Sequence, residues 1–198
     1  MTAETLRLVL PFAAWMALMT ALPPTPWAYA VRTLVTAAVL AVCSAPLVRA
    51  WRPSARSLAA TLGWGVAVGL AVCVVWVAPE RLGGVWYRDW CILGEGGTVA
   101  VDASAWYWKA FRLAGSACVI SVAEELFFRR WLVRWAGFWW MVALFAIEHD
   151  HYVVGAVAGA VYGWLALRKG LASAIVAHAV TNFALGVYVL ETGDWRFW

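Results

Sequence analysis

The stretch Ser-Val-Ala-Glu-Glu-Leu-Phe-Phe-Arg-Arg at positions 121–130 places two adjacent carboxylates, Glu124 and Glu125, inside an apolar, helix-compatible run from about Trp106 to Trp135. On a helix, Glu125 and Arg129 stand four apart in the favourable order and pair along one face. Glu124 points about 100° away and is left without that cation. Ionisable side chains at bilayer depth cost a few kcal/mol (about 3 on insertion scales), so they face a bundle interior or wet cavity and mark function. A carboxylate without a partner in a water-poor layer is a candidate general base. The same three residues also read as a structural ion-pair knot between helices.

Two polar segments downstream tip the balance towards chemistry: Phe145-Ala-Ile-Glu148-His149 and His178-Ala-Val-Thr-Asn182. His178 and Asn182 share a helix face. Counting back from Arg134 to Glu124 gives about 15 Å at helical rise, near the membrane centre, and His178 lies a comparable distance from Arg168 and Lys169. A lone histidine in an apolar helix is usually a packed core residue. Two of them, one with an amide partner, at the depth of an unpaired glutamate are harder to explain as packing.

These residues need helices to carry them, and the composition supplies helices. Of 198 residues, 65% are hydrophobic and 13% charged, against roughly 45–50% apolar in a soluble domain. The chain reads as a single all-α membrane domain, a polytopic bundle of about seven spans. Three N-terminal helices are expected within 1–78, an extramembrane loop over 79–105, and a four-helix core over 106–198. The expected helices run from about Leu6 to Leu22, Ala28 to Val48, Leu58 to Ala78 (stopping at Pro79), 106–135, Phe138 to Glu148, Tyr152 to Leu167 and Leu171 to Leu190. Gly155, Gly159 and Gly163 recur every fourth residue, a spacing that admits a neighbouring backbone within the bundle or across a dimer.

The net charge of +4 does not suggest nucleic acid, because the basic residues scatter among short loops. Arg49 to Arg56, Arg129 to Arg134 and Arg168-Lys169 fall on one side, which places the N-terminus in the cytoplasm and the 80–105 loop and C-terminus outside. Cys43, Cys73 and Cys118 read as small core residues and Cys91 as a loop residue, with neither a disulfide framework nor a metal site. The first apolar run reads as a retained helix rather than a signal peptide.

Glu124-Glu125-xxx-Arg129, Phe145-xxx-His149 and His178-xxx-Asn182, in that order on successive helices, resemble the three signature motifs of the CPBP glutamic-type intramembrane proteases. That family includes the CAAX prenyl endopeptidases and bacteriocin-immunity-type proteins. The resemblance covers about residues 108–190; the first three helices are not diagnostic. It implies an endopeptidase in which Glu124 activates water, His149 holds or protonates that water, and His178 and Asn182 donate to the oxyanion. Glu125 and Arg129 would orient the helix and tune Glu124, and no cofactor is implied.

Glu148 to Tyr152, Ala177 to Asn182 and the ending Thr192-Gly-Asp-Trp195 are similar to the branch associated with bacterial PEP-CTERM-type sorting. This implies a bacterial inner membrane location and a protein or peptide substrate with a hydrophobic or lipidated C-terminal segment. Two other readings stay open: a zinc protease with Glu124, His149 and His178 as ligands, and a non-enzymatic scaffold, immunity-type protein or proton-coupled transporter.

Overall fold

The computed structural model describes residues 2–50, 53–92 and 106–197. Among them there is no strand. Seven helices follow in order: α1 (Ala3–Ala21), α2 (Pro26–Ala50), α3 (Ala55–Cys91), α4 (residues 106–136), α5 (Phe138–Ile147), α6 (Tyr152–Lys169) and α7 (Leu171–Thr192), with a short 3-10 turn, Trp195–Phe197, after them. Thr2 and Ser54 cap α1 and α3, each accepting the amide of the residue three further on, which satisfies a donor the helix leaves open. Gly137 (φ 90°) and Gly170 (φ 94°) turn the chain from α4 to α5 and from α6 to α7, at dihedrals where a Cβ would be strained.

The third helix departs from expectation. It does not stop at Pro79 but continues to Cys91, so the first part of the expected 79–105 loop is helical. Residues 93–105 lie outside the described residues. Proline removes one amide donor, a loss that a membrane helix tolerates where neighbours compensate. The break falls instead at Gly84 (φ 57°, ψ −134°), the position that can take it. This extension buries Cys91 beside Tyr87 and Val154, while Cys118 faces outward on α4, the reverse of the sequence expectation for that pair.

α4 and α7 form the centre. α1 and α2 pack on one side of α4, while α3, α4 and α6 surround α7. Glycines set the two closest approaches. A Cβ on Gly69 would stand 2.5 Å from the Ala177 carbonyl oxygen, and one on Gly65 would stand 2.4 Å from Val176, so α3 lies directly against the α7 backbone. The Gly155, Gly159 and Gly163 stripe faces Ala146, Phe145 and Met141 of α5. It therefore serves packing inside the bundle. The core joins Phe12, Trp15, Tyr29, Phe128, Phe145 and Tyr162.

This is an integral membrane bundle. α2 over Pro26–Arg49, α3 and α7 are individually long and apolar enough to cross a bilayer, with mean hydropathies of 1.9, 2.2 and 1.6. Large apolar side chains on α2 and α3, among them Leu34, Val42, Leu62 and Val74, point outward, as lipid contact requires. α5, with ten residues, is about 15 Å long, half the hydrocarbon thickness, and its end carries the polar patch into the bundle.

Candidate active site

The middle of α4 is not uniformly α-helical: residues 115–120 and 125–132 follow π-helical geometry on either side of Ser121–Glu124. Wide turns of this kind gather at functional sites because they re-aim side chains and loosen the carbonyl ladder. Here the result is that Glu124 and Glu125 diverge into different surroundings.

Glu125 is wholly buried. Its Oε1 lies 3.0 Å from Arg129 Nη1 and accepts a 2.9 Å hydrogen bond from Nδ1 of His178. The guanidinium of Arg129 stands 4.0 Å over the Phe145 ring and 5.5 Å from that of Tyr162, so the cation is held by rings and a carboxylate in place of water. Glu124 has no such anchorage. Its Oε2 is buried without a hydrogen-bond partner and lies 3.7 Å from His178 Nε2, beyond hydrogen-bond length.

Each imidazole is fixed by its Nδ1. That of His149 bonds the Phe145 carbonyl at 2.8 Å; a carbonyl only accepts, so Nδ1 carries the proton and Nε2 is the free nitrogen. His178 is held the same way by the Glu125 carboxylate, and it stacks on Tyr162 with ring centroids 5.0 Å apart. The Tyr162 hydroxyl donates to Thr181, whose own hydroxyl lies within bonding distance of the carbonyls of Gly69 and Ala177. Phe145 touches His149, His178 and Arg129 at once, and it is the common wall of the three motifs.

Glu124, His149, His178 and Asn182 line one cavity of about 260 Å³, small for a ligand site. Glu125 and Arg129 stand behind it. Asn182 donates through Nδ2 to the carbonyl of Ser116, in the first π-helical stretch, which leaves its second amide proton for a ligand. Among the described residues, no group of three or more His, Cys, Asp or Glu side chains is placed to hold a metal ion.

Residues 106–184 match the family model described as type II CAAX prenyl endopeptidase Rce1-like. Over this segment the chain is similar to the CPBP/CAAX protease family. The match begins at the start of α4 and ends two residues past Asn182, so it spans all three motifs. No curated protein and no solved structure matches the chain.

The sequence motifs left out several residues that the fold brings to the cavity. Tyr162, Thr181 and Ser116 line it, as do Glu148, whose Oε2 is unpartnered, and Phe197 from the C-terminal turn. Tyr162 and Thr181 each stand three positions from a residue already singled out, Gly159 and His178 respectively. Ser116 and Phe197 carried no comparable signal. Glu148 was noted only as part of a polar patch.

Proposed function

We propose that the chain is a glutamic-type intramembrane endopeptidase, cleaving a peptide bond near the C-terminus of a membrane-associated protein by glutamate-activated water. What carries this reading is the convergence of three helices on one cavity, whose wall the unpartnered Oε2 of Glu124 shares with His149 and His178, each imidazole held by its Nδ1. A water drawn against Glu124 passes its proton to Oε2 as its oxygen attacks the scissile carbonyl, and Glu124 returns that proton to the leaving amine as the C–N bond breaks. Asn182 donates its remaining amide proton to the oxyanion, and His149 holds the water or the leaving amine through Nε2. Donors fixed before the reaction are worth several kcal/mol, about 3 each, in a water-poor site.

His178 takes a role different from simple donation. With Nδ1–H committed to Glu125, the neutral ring offers Nε2 as an acceptor towards Glu124. It donates to an oxyanion only once protonated. Glu125 and Arg129 are positioning residues acting through this imidazole.

The cavity runs from mid-bundle to the end formed by Met19, Tyr29, Arg112, Leu185 and Phe197, away from Arg49, Arg130, Arg134, Arg168 and Lys169. If those basic residues lie in the cytoplasm, the site opens on the other face of a bacterial inner membrane. The substrate that fits carries a hydrophobic or lipidated C-terminal segment, a sorting helix being one form. Reconstituted in vesicles with candidate membrane-anchored proteins, the wild type should release C-terminal fragments and Glu124→Gln should not. Full cleavage by a folded Glu124→Gln protein refutes the proposal.

A further inference from the structure

Glu124, His149, His178 and Asn182 line a cavity of about 260 Å³, whereas sites for small ligands run from about 300 to 1,000 Å³. A wall must therefore move before a peptide, or any ligand of ordinary size, can lie across these residues. The helices leave little room for that, since Cβ atoms added to Gly65, Gly69 and Gly163 would stand 2.4, 2.5 and 2.7 Å from the facing helices. The outer end of the cavity is different. Phe197 lines it from the three-residue turn Trp195–Phe197, which follows α7 across Gly193. That glycine takes φ 69°, and an added Cβ there would meet nothing within 4 Å, so the pivot of the turn is unpacked.

The turn is held by groups that can exchange partners. Arg196 Nη1 lies 2.7 Å from Glu80 Oε1, and its other two nitrogens bond Asp194, itself paired with Arg81 at 2.7 Å. The Glu80 side chain is 1% exposed and that of Arg196 40%, so the carboxylate needs a cation in any conformation while the guanidinium has water. A second cation stands ready: Arg88 Nη1 is 3.9 Å from the same Oε1. His151 donates through Nε2 to the Arg196 carbonyl at 3.3 Å and stacks on Phe197 with centroids 5.5 Å apart. The same Nε2 lies 3.8 Å from Glu80 Oε2, an acceptor without a hydrogen-bond partner. With the turn gone, Arg88 and His151 would both close on Glu80, and no buried charge would be stranded.

We infer that this turn is a gate over the outer end of the cavity, swinging about Gly193, with Glu80 handed from Arg196 when shut to Arg88 when open. Opening withdraws Phe197 from its packing with Leu185 and Trp76. The Trp76 ring stands 5.4 Å from that of His149, so the space gained adjoins the candidate site. Trp195, 5.5 Å from Trp108, is drawn away with the turn and sets part of the cost of opening. Because each state satisfies the same carboxylate, the element has two discrete arrangements. Such a gate follows from the cavity and the clasp and does not depend on the protease reading.

Cysteine labelling tests the gate without turnover. In a cysteine-free background carrying Leu185→Cys at the cavity wall, reaction with N-ethylmaleimide is timed in nanodiscs, and Glu191→Cys, at an exposed position, controls for reagent access. Arg196→Gln should speed labelling at position 185 at least about threefold, the scale of a part-exposed ion pair. Arg88→Gln should slow it about twofold or more, because there the open state alone loses a partner. Arg196→Lys should largely restore the wild-type rate. Asp194→Asn, which frees Arg196 and Arg81 together, should speed labelling as Arg196→Gln does, and it carries the same prediction if that variant does not fold. Labelling at position 191 should not change. Opposite signs in the two arginine variants separate a gate from a fixed wall, which either loss would only loosen. A rate unmoved by Arg196→Gln or by Arg88→Gln, or moved in the same direction by both, overturns the inference.

Discussion

Neighbours in the chain, Glu124 and Glu125 are given opposite tasks by what surrounds them. Glu125 is locked to Arg129 and His178, whereas the outer oxygen of Glu124 touches no donor. Their responses to mutation should therefore separate. Glu124→Gln should lower cleavage by at least about 100-fold, the usual contribution of a general base, while leaving the unfolding temperature in micelles within about 2 °C. Arg129→Ala should instead destabilise by about 3–5 kcal/mol, because it strands the Glu125 carboxylate in the interior; equilibrium unfolding in mixed micelles reads this directly. The i, i+4 pairing was legible from spacing alone. That His178 completes the same cluster was not, because fifty-three residues separate it from Glu125.

At the scale of elements, two glycine stripes decide where the helices that line the cavity sit. The α6 stripe could be read from the sequence, but whether it faced a neighbour in the chain or another copy depended on α5 being short enough to fold back onto it. The α3 stripe, Gly65 and Gly69, drew no attention although it lies against the helix that bears His178 and Asn182. Gly69→Leu should displace α7, since the obstacle is the Ala177 carbonyl and not a movable side chain. Activity should fall well beyond what Gly63→Leu produces, at a site where an added Cβ meets nothing within 4 Å; parallel cleavage and unfolding assays make the comparison. The C-terminal turn is a further element, clasped to α3. Arg196 bonds Glu80 and both oxygens of Asp194 at 2.7 Å, and Arg81 reaches Asp194. The Arg196 hydrogen bonds hold the Asp194 carboxyl below its ordinary value, although partial burial opposes them. A depressed folded value gives stability that is complete above the unfolded value of about 4 and is lost as pH falls through the lower one. Hydrogen exchange at residues 194–197, corrected for its intrinsic rate, should therefore quicken below about pH 4.

Across the whole molecule, most acidic side chains lie at one end, mixed there with Arg81, Arg88 and Arg196. Arg49, Arg130, Arg134, Arg168 and Lys169 gather where α2, α4 and α6 finish; Glu80, Asp89, Glu148, Asp150, Glu191 and Asp194 gather at the opposite end, with the cavity between it and the bundle centre. Single cysteines at positions 134 and 191 in a cysteine-free background should react oppositely with an impermeant maleimide in intact cells. Position 191 should label from outside and position 134 only after permeabilisation. Composition and periodicity by themselves determined an all-helical membrane bundle, the order of its helices and the three motifs, because hydrophobic length and i, i+4 spacing are local properties. Tertiary structure alone decided that α3 passes Pro79 and bends at Gly84, that Glu124 stays unpartnered while His178 turns to Glu125, and that the turn after α7 is clasped to α3. Those outcomes depend on which helix lies against which, and that is set by close backbone approach and by the satisfaction of buried charge between segments far apart in the chain.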